Sequence, residues 1–283
     1  MNYRHTYHAG NIGDVLKHIV LIALIQSLKR KETPFCYLET HAGIGSYDLL
    51  ADTTQKSREF ENGIQKIFNT EHSPDLIQDY ITCVKSLNQA NTLRYYPGSP
   101  YFVKQLLRSE DRMILSELHP EDFQTLKKFF IREKQIAVHH QDGYQSLKAY
   151  LPPKERRGLV LIDPAYEKPN ELMQLPKLLA EALKRWETGI FALWYPIKTQ
   201  EQLKPFYCEL TEYIHRPFLR VELCVHSDEI ALELNGCGMI IMNPPWQLDE
   251  KLEEILPFLW NMLNINKQGY NKITSLNSNS EAV

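Results

Sequence analysis

The chain has 283 residues, room for one large α/β domain with an insertion or for two modest domains. Its composition, 43% hydrophobic and 24% charged, is that of a globule with a sizeable core. A formal charge of -3 excludes a globally basic nucleic-acid binder, so any such contact must come from local patches. Cys36, Cys83, Cys208, Cys224 and Cys237 are scattered, with no C-x-x-C pair. That spacing argues for reduced thiols in a cytoplasmic protein rather than a disulfide framework or a zinc site. Met1 to His5 leads into no signal-peptide core, and the apolar run Ile19 to Ile25 is too short to span a bilayer. A soluble protein with no membrane partner is expected.

Residues 3–13 are polar and aromatic, with Tyr3, Arg4, His5, Tyr7 and His8 set around Gly10 and Gly13. Asp14 is placed to cap a helix running to Arg30, its apolar face formed by Val15, Leu16, Ile19, Val20, Ala23, Leu24 and Leu28. Lys17 and His18 fall on its first turns. A first strand, Phe35 to Leu38, ends in Glu39-Thr40-His41-Ala42-Gly43-Ile44-Gly45. An acid closing a strand and a following G-x-G let a backbone approach a cofactor where side chains would clash. The third glycine of a dinucleotide fingerprint is missing, which disfavours NAD and suits an S-adenosylmethionine site at Gly43. A plain strand-to-helix turn uses the same residues. Residues 46–96 carry helical patterns and little strand character, and read as a small helical insertion on the sheet rim.

Pro97-Gly98-Ser99-Pro100 opens another helix, with Ser99 as N-cap and proline at the first helical position. The strand Met113 to Ser116 ends in Glu117, an acid placed for ribose hydroxyls or simply for solvent. A helix bearing Phe123, Leu126, Phe129 and Phe130 leads to the strand Ile136 to Val138 and to Asp142-Gly143. That dipeptide suits an adenine edge and an ordinary turn equally. A short helix, Tyr144 to Leu151, stops at Pro152-Pro153, and Lys154 to Arg157 reads as a solvated charged turn.

The apolar run Leu159 to Ile162 then breaks at Asp163-Pro164-Ala165-Tyr166. A short apolar run ending at a breaker is a buried parallel strand, and ligands gather outside the carboxyl ends of such strands. A carboxylate, the Pro164 carbonyl and the Tyr166 ring are what gripping the amino group of a planar base requires. After it come a helix (Glu171 to Trp186), a strand (Ile190 to Tyr195), a helix near Gln200 to Ile214, strands Phe218 to Val225 and Met239 to Met242, and a helix Leu248 to Leu263. The tail from Asn264 is polar and expected to be disordered.

This alternation specifies an α/β, Rossmann-like, seven-stranded and mostly parallel sheet with an antiparallel last strand. The expected division is a main domain over residues 1–45 and 97–263, the insertion over 46–96 and the tail over 264–283. Glu39, Glu117 and Asp142 all end strands at the edge where Asp163 stands. Asn243-Pro244-Pro245-Trp246 competes with Asp163 to Tyr166, having the same grammar. Strand order decides for Asp163 and leaves Asn243 to Trp246 structural or substrate-lining.

With these residues in hand, the chain resembles class I S-adenosylmethionine-dependent methyltransferases of the amino-methylating D-P-P-Y type. It is similar above all to the bacterial 23S ribosomal RNA (adenine-N6)-methyltransferase J family. The likeness covers nearly the whole chain: Tyr3 to His5, His8 to Asn11, Asp14 to His18, Thr40 to Gly43, Pro97 to Pro100, Asp163 to Glu167, Trp194 to Pro196 and Asn243 to Trp246. It implies cofactor contacts at His18, His41, Ser99, Glu117, Asp142, Gly143 and Asp163, a catalytic acid at Asp163 and a substrate contact at Tyr3. The implied reaction is methylation of an adenosine N6 amine in 23S ribosomal RNA by a monomer. Asp163 and the Pro164 carbonyl would accept hydrogen bonds from the amine while Tyr166 stacks on the base. A DNA adenine methyltransferase would use the same four residues, and a non-catalytic RNA-binding scaffold could keep the fold. Ala165 departs from the pattern, standing where the family has a second proline.

Overall fold

The computed structural model describes residues 4–89, 92–229 and 234–276. α1 (Ile12–Lys29) is buried on nearly every side, because it is sandwiched between the central sheet and other helices. Its N-cap is Asn11, whose side chain accepts the Asp14 N–H at 2.9 Å. Asp14, expected as the cap, instead lies inside the first turn at 2% exposure. The correction is consequential, because it turns Asp14 inward.

β1 (Cys36–Glu39) leads to a hairpin-like pair, β2 (Ser46–Asp48) and β3 (Tyr95–Pro97), which brackets α2 (Asp52–Ser57), α3 (Ile64–Ile67) and α4 (Asp75–Lys85). The insertion expected to be helical is therefore closed at its base by a two-stranded antiparallel sheet. It shares its core with α1: Tyr80, Tyr96 and Phe102 form one buried aromatic group with His18, and Tyr80 and Phe102 stack at 5.4 Å.

Next come α5 (Ser99–Leu106), β4 (Arg112–Glu117), α6 (Pro120–Phe129), β5 (Ile136–His140), α7 (Gly143–Tyr150) and β6 (Gly158–Ile162). Then follow α8 (Glu171–Arg185), β7 (Ile190–Ile197), α9 (Gln200–Tyr213), β8 (Phe218–Cys224), β9 (Gly236–Met242), α10 (Leu248–Leu263) and β10 (Tyr270–Leu276). The main sheet has the order β10-β8-β9-β7-β6-β1-β4-β5. The five strands from β7 to β5 are parallel, and β9 runs antiparallel between β7 and β8. This is the expected Rossmann-like sheet with one strand more. Residues 270–276, expected to be disordered, pair antiparallel with β8 along its whole length. None of the seven is fully buried, as suits an edge strand. Residues 277–283 lie outside the described residues.

Both sheet faces are covered. α1, α6 and α10 lie on the side of Tyr37, Leu115, Leu159 and Leu161, while α7, α8 and α9 lie on the side of Leu38, Ile114, Val160 and Ile162. Two-sided burial is why β6 reads as an unbroken apolar run rather than an alternating one. β6 lies directly beside β1, so the Asp163 corner and the Gly43 loop are neighbours across the sheet edge. No helix among the described residues is long and apolar enough to cross a membrane.

Candidate active site

The carboxyl ends of β1, β4 and β6 open into a cleft of about 690 Å³. Of the residues singled out from the sequence, His18, His41, Gly43, Ser99 and Glu117 line it, and so do Asp163, Pro164 and Tyr166. Asp142 and Gly143 do not. Asp142 caps α7, its Oδ1 accepting the N–H groups of Tyr144 and Gln145 at 2.9 and 3.0 Å. Gly143 is required by packing, because a Cβ there would stand 2.1 Å from the carbonyl oxygen of Thr40. Tyr3 lies outside the described residues.

Asp163 is gripped from across the cleft. Lys17 Nζ lies 2.6 Å from Asp163 Oδ2 and 2.8 Å from Asp14 Oδ1. Asp14 Oδ2 in turn is 3.0 Å from His5 Nε2 and accepts the Gly10 N–H at 2.8 Å. Burial alone would neutralise these groups, but the carboxylates of Asp14 and Asp163 outweigh it and hold the Lys17 ammonium well above its ordinary pKa. Burial pushes Asp14 the other way too, yet His5 and Lys17 hold its carboxyl well below the usual range. The result is a chain of contacts, His5–Asp14–Lys17–Asp163, running through a buried helix terminus. Asp163 lines the cleft, and Oδ2 is the oxygen that Lys17 holds.

Tyr166 adopts a left-handed backbone conformation, φ 55°. That turn swings its ring back against Trp194, 6.0 Å away between centroids, and its hydroxyl donates to the Trp194 carbonyl. Ring and main chain are thereby held together at the rim.

The β1 and β4 ends form the other half. Glu39 is fully buried, hydrogen-bonded to Ser99 Oγ and, at 2.8 Å, to the Tyr37 hydroxyl. Burial raises its carboxyl to about 8. Ser99, expected as the helix cap, is the first residue of α5, and Gly98 occupies the cap position. Its hydroxyl is free to serve Glu39 for that reason. Glu117 accepts the Gly43 N–H and the His119 N–H, each at 2.8 Å, and burial raises its carboxyl as well. His18 Nδ1 meets the Tyr96 hydroxyl at 2.8 Å, whereas its buried Nε2 has no hydrogen-bond partner. Burial lowers the pKa of His18 well below the ordinary value, so the ring is neutral. His41 is lowered for the same reason, and its Nδ1 lies 2.8 Å from Thr40 Oγ1.

Asn243 is at the opposite edge of the sheet. β9 is antiparallel to β7, with Met242 opposite Phe191, so its end faces away from the cleft. Asn243 Nδ2 donates to the carbonyls of Glu187 and Gly189 at 2.9 and 2.7 Å, a structural tie to the turn before β7. A substrate-lining role for Asn243 to Trp246 is overturned by that direction. Sequence reasoning missed Lys17 and Asp14 as partners of Asp163. The available signal was two charges, three residues apart, on the first turns of an otherwise apolar helix.

A model of the family described as "Ribosomal RNA large subunit methyltransferase D, RlmJ" matches residues 32–275. The chain belongs to this family. It is accordingly an enzyme, a ribosomal RNA methyltransferase. It is 43% identical over 263 residues to ribosomal RNA large subunit methyltransferase J of Escherichia coli strain K12, covering 93% of this chain and 94% of the relative. The protein of the same name from Haemophilus influenzae is 43% identical over 260 residues, with 92% of each chain covered. The crystal structure of protein LPL1258 from Legionella pneumophila superposes with a TM-score of 0.86 at 37% identity, covering 95% of this chain and 98% of that one. The DNA-methylating and non-catalytic alternatives are not favoured by these relatives.

Proposed function

We propose that the protein transfers a methyl group from S-adenosylmethionine to the N6 amine of an adenosine in 23S ribosomal RNA. The observation that carries this reading is the Asp163–Pro164–Ala165–Tyr166 corner, fixed by Lys17 at 2.6 Å beside the β1 loop. The methyl donor fits the residues present: a cleft of about 690 Å³, a glycine in the left-handed region at Gly43, and an unpartnered neutral imidazole nitrogen at His18. His18, His41, Gly43, Ser99 and Glu117 are the residues that would hold it. Asp142 and Gly143 support this half from outside, through α7. When bound, the donor supplies an electrophilic methyl group on a sulfonium centre.

An aromatic amine is a poor nucleophile because its lone pair is delocalised into the ring. Asp163 and the Pro164 carbonyl accept hydrogen bonds from the two N6 protons, which returns the lone pair to nitrogen. Lys17 keeps the carboxylate at one angle and leaves its second oxygen to the amine. Tyr166, its hydroxyl tied to Trp194, offers its ring to stack on the base. In-line placement then supplies much of the acceleration. A paired adenine must first leave its stack, at a cost of a few kcal/mol.

The test is mass-spectrometric mapping of N6-methyladenosine in ribosomal RNA from a deletion strain complemented with wild type or with Asp163→Ala. Wild type is expected to restore one modified adenosine and Asp163→Ala none, both proteins being folded. Restoration by the alanine variant, or no cofactor heat with wild type in calorimetry, overturns the reading.

A further inference from the structure

Beyond Trp194 the cleft changes character. β6 ends at Ile162, level with Leu193, but β7 continues to Ile197 with β9 and β8 beside it. The register sets Ile197, Gly236 and Cys224 side by side. This part of the sheet therefore overhangs the Asp163 corner as a lip. Lys198 lies four residues past Trp194, ~13 Å farther along the strand direction. That is a span suited to a nucleotide whose base edge is at Asp163 and whose backbone lies at the lip.

The lip is stapled by Asn235, which is fully buried. Its side-chain amide donates to the Lys198 carbonyl at 2.7 Å, and its backbone N–H to the Ile197 carbonyl at 2.9 Å. Its own carbonyl accepts the Val225 and His226 N–H groups at 2.9 and 3.2 Å. The backbones of Lys198 and His226 are thus fixed to one another, and both residues line the cleft. Lys66 of α3 does not line the cleft itself, but it donates to the Leu263 carbonyl at 3.3 Å and lies close enough to His226 for its charge to be felt there. Burial, then the neighbouring Lys66 charge, lowers the pKa of His226.

Charge divides the cleft in two. The acids of its inner half are engaged: Asp14 with Lys17, Glu59 with His8 and Asn11, Glu117 with two backbone N–H groups, and Asp122 with Arg4. Among the described residues, no carboxylate comes within ion-pair distance of Lys66, Lys198 or His226. Asp228, two residues further on, accepts the Gln200 N–H at 2.9 Å. Two lysines beside a histidine, with no carboxylate against them among the described residues, are placed to meet an anion brought by the substrate.

We propose that Lys66, Lys198 and His226 seat a backbone phosphate of the RNA next to the adenosine whose amine reaches Asp163. This rests on the adenosine-methylating reading above and adds the backbone contact that sets the register. Such contacts position a nucleic acid without reading its sequence. They also make binding depend on salt in proportion to the phosphates engaged.

The experiment compares wild type, Lys198→Gln, Lys66→Gln and the double variant, with Lys184→Gln at the exposed end of α8 as control. Each full-length protein is titrated with a 23S ribosomal RNA transcript over a potassium chloride series, and steady-state methylation is followed alongside. Each site variant is expected to raise KM for RNA about tenfold with kcat within about twofold of wild type. Each should also flatten the slope of log affinity against log salt, and the double variant by ~0.7 in all, the share of one phosphate. Cofactor affinity by calorimetry should stay at the wild-type level, and the control should match wild type throughout. Unchanged KM and slope in both single variants overturn the inference, as does a raised KM with an unchanged slope. Among the described residues Lys198 makes no side-chain bond, so its single variant decides the matter even if Lys66→Gln weakens the fold. A wild type that binds cofactor yet neither binds nor methylates RNA would instead sink the underlying reading.

Discussion

Lys17 Nζ sits 2.6 Å from Asp163 Oδ2, joining the first helix to a loop 146 residues further along the chain. The lysine is almost completely buried, with a side-chain exposure of 5%, and is shared with Asp14. A cation so placed does two things at once. It offsets two carboxylates that the interior would otherwise disfavour, and it fixes the orientation of the one that lines the cleft.

Replacing Lys17 by Met is expected to reduce kcat on the order of 100-fold or more, the scale of losing a preorganised electrostatic group. Stability should fall by about 3–5 kcal/mol, because two buried carboxylates lose their partner. The pairing itself is checked by a double-mutant cycle with Asp163→Asn. The double variant should be no slower than the worse single one, and additive losses would refute the coupling.

Glu39 gives the fold a pH dependence whose sign follows from burial. Its carboxyl is raised from 4.5 to about 8, so its contribution to stability is fully present below pH 4.5 and is lost as the pH rises through 8. Urea midpoints measured between about pH 5 and pH 9 should therefore fall for wild type more than for Glu39→Gln. Parallel profiles for the two proteins would rule Glu39 out as the titrating group.

Gly143→Ala separates packing from cofactor contact. The new methyl would stand 2.1 Å from the Thr40 carbonyl oxygen, so α7 must shift off the β1 loop. A loss of about 1–3 kcal/mol in chemical denaturation is expected. Cofactor affinity should weaken only as far as the loop moves, and a large loss of affinity at unchanged stability would return Gly143 to the cofactor.

Ala165→Pro restores the second proline of the family pattern. Among the described residues the Ala165 N–H finds no acceptor, so proline removes no hydrogen bond there. The expected outcome is a gain of about 0.4–1 kcal/mol in thermal or urea unfolding, from a less mobile unfolded chain. Methylation should stay within about twofold of wild type. A collapse of activity would mean that Ala165 needs a backbone angle proline cannot take.

The sequence by itself determined the alternation of strands and helices, the acids at the ends of β1 and β4, and the Asp163 to Tyr166 corner. Each is a local property: an apolar run, a breaker, an acid next to it. Even the limits of α10 follow from periodicity within one segment. What only the tertiary structure decided depends on strand direction and on contacts between distant segments. Asn243 copies the grammar of Asp163, yet the reversal of β9 sends it to the other edge of the sheet. Residues 270–276 are too polar to bury alone, but an unpaired β8 edge offers their backbone hydrogen bonds and makes them a strand. Asp14 and Lys17 look like an ordinary exposed pair on a helix start until α1 is packed between sheet and insertion. Burial then makes their charges costly alone, and Asp163, 146 residues away, completes the set.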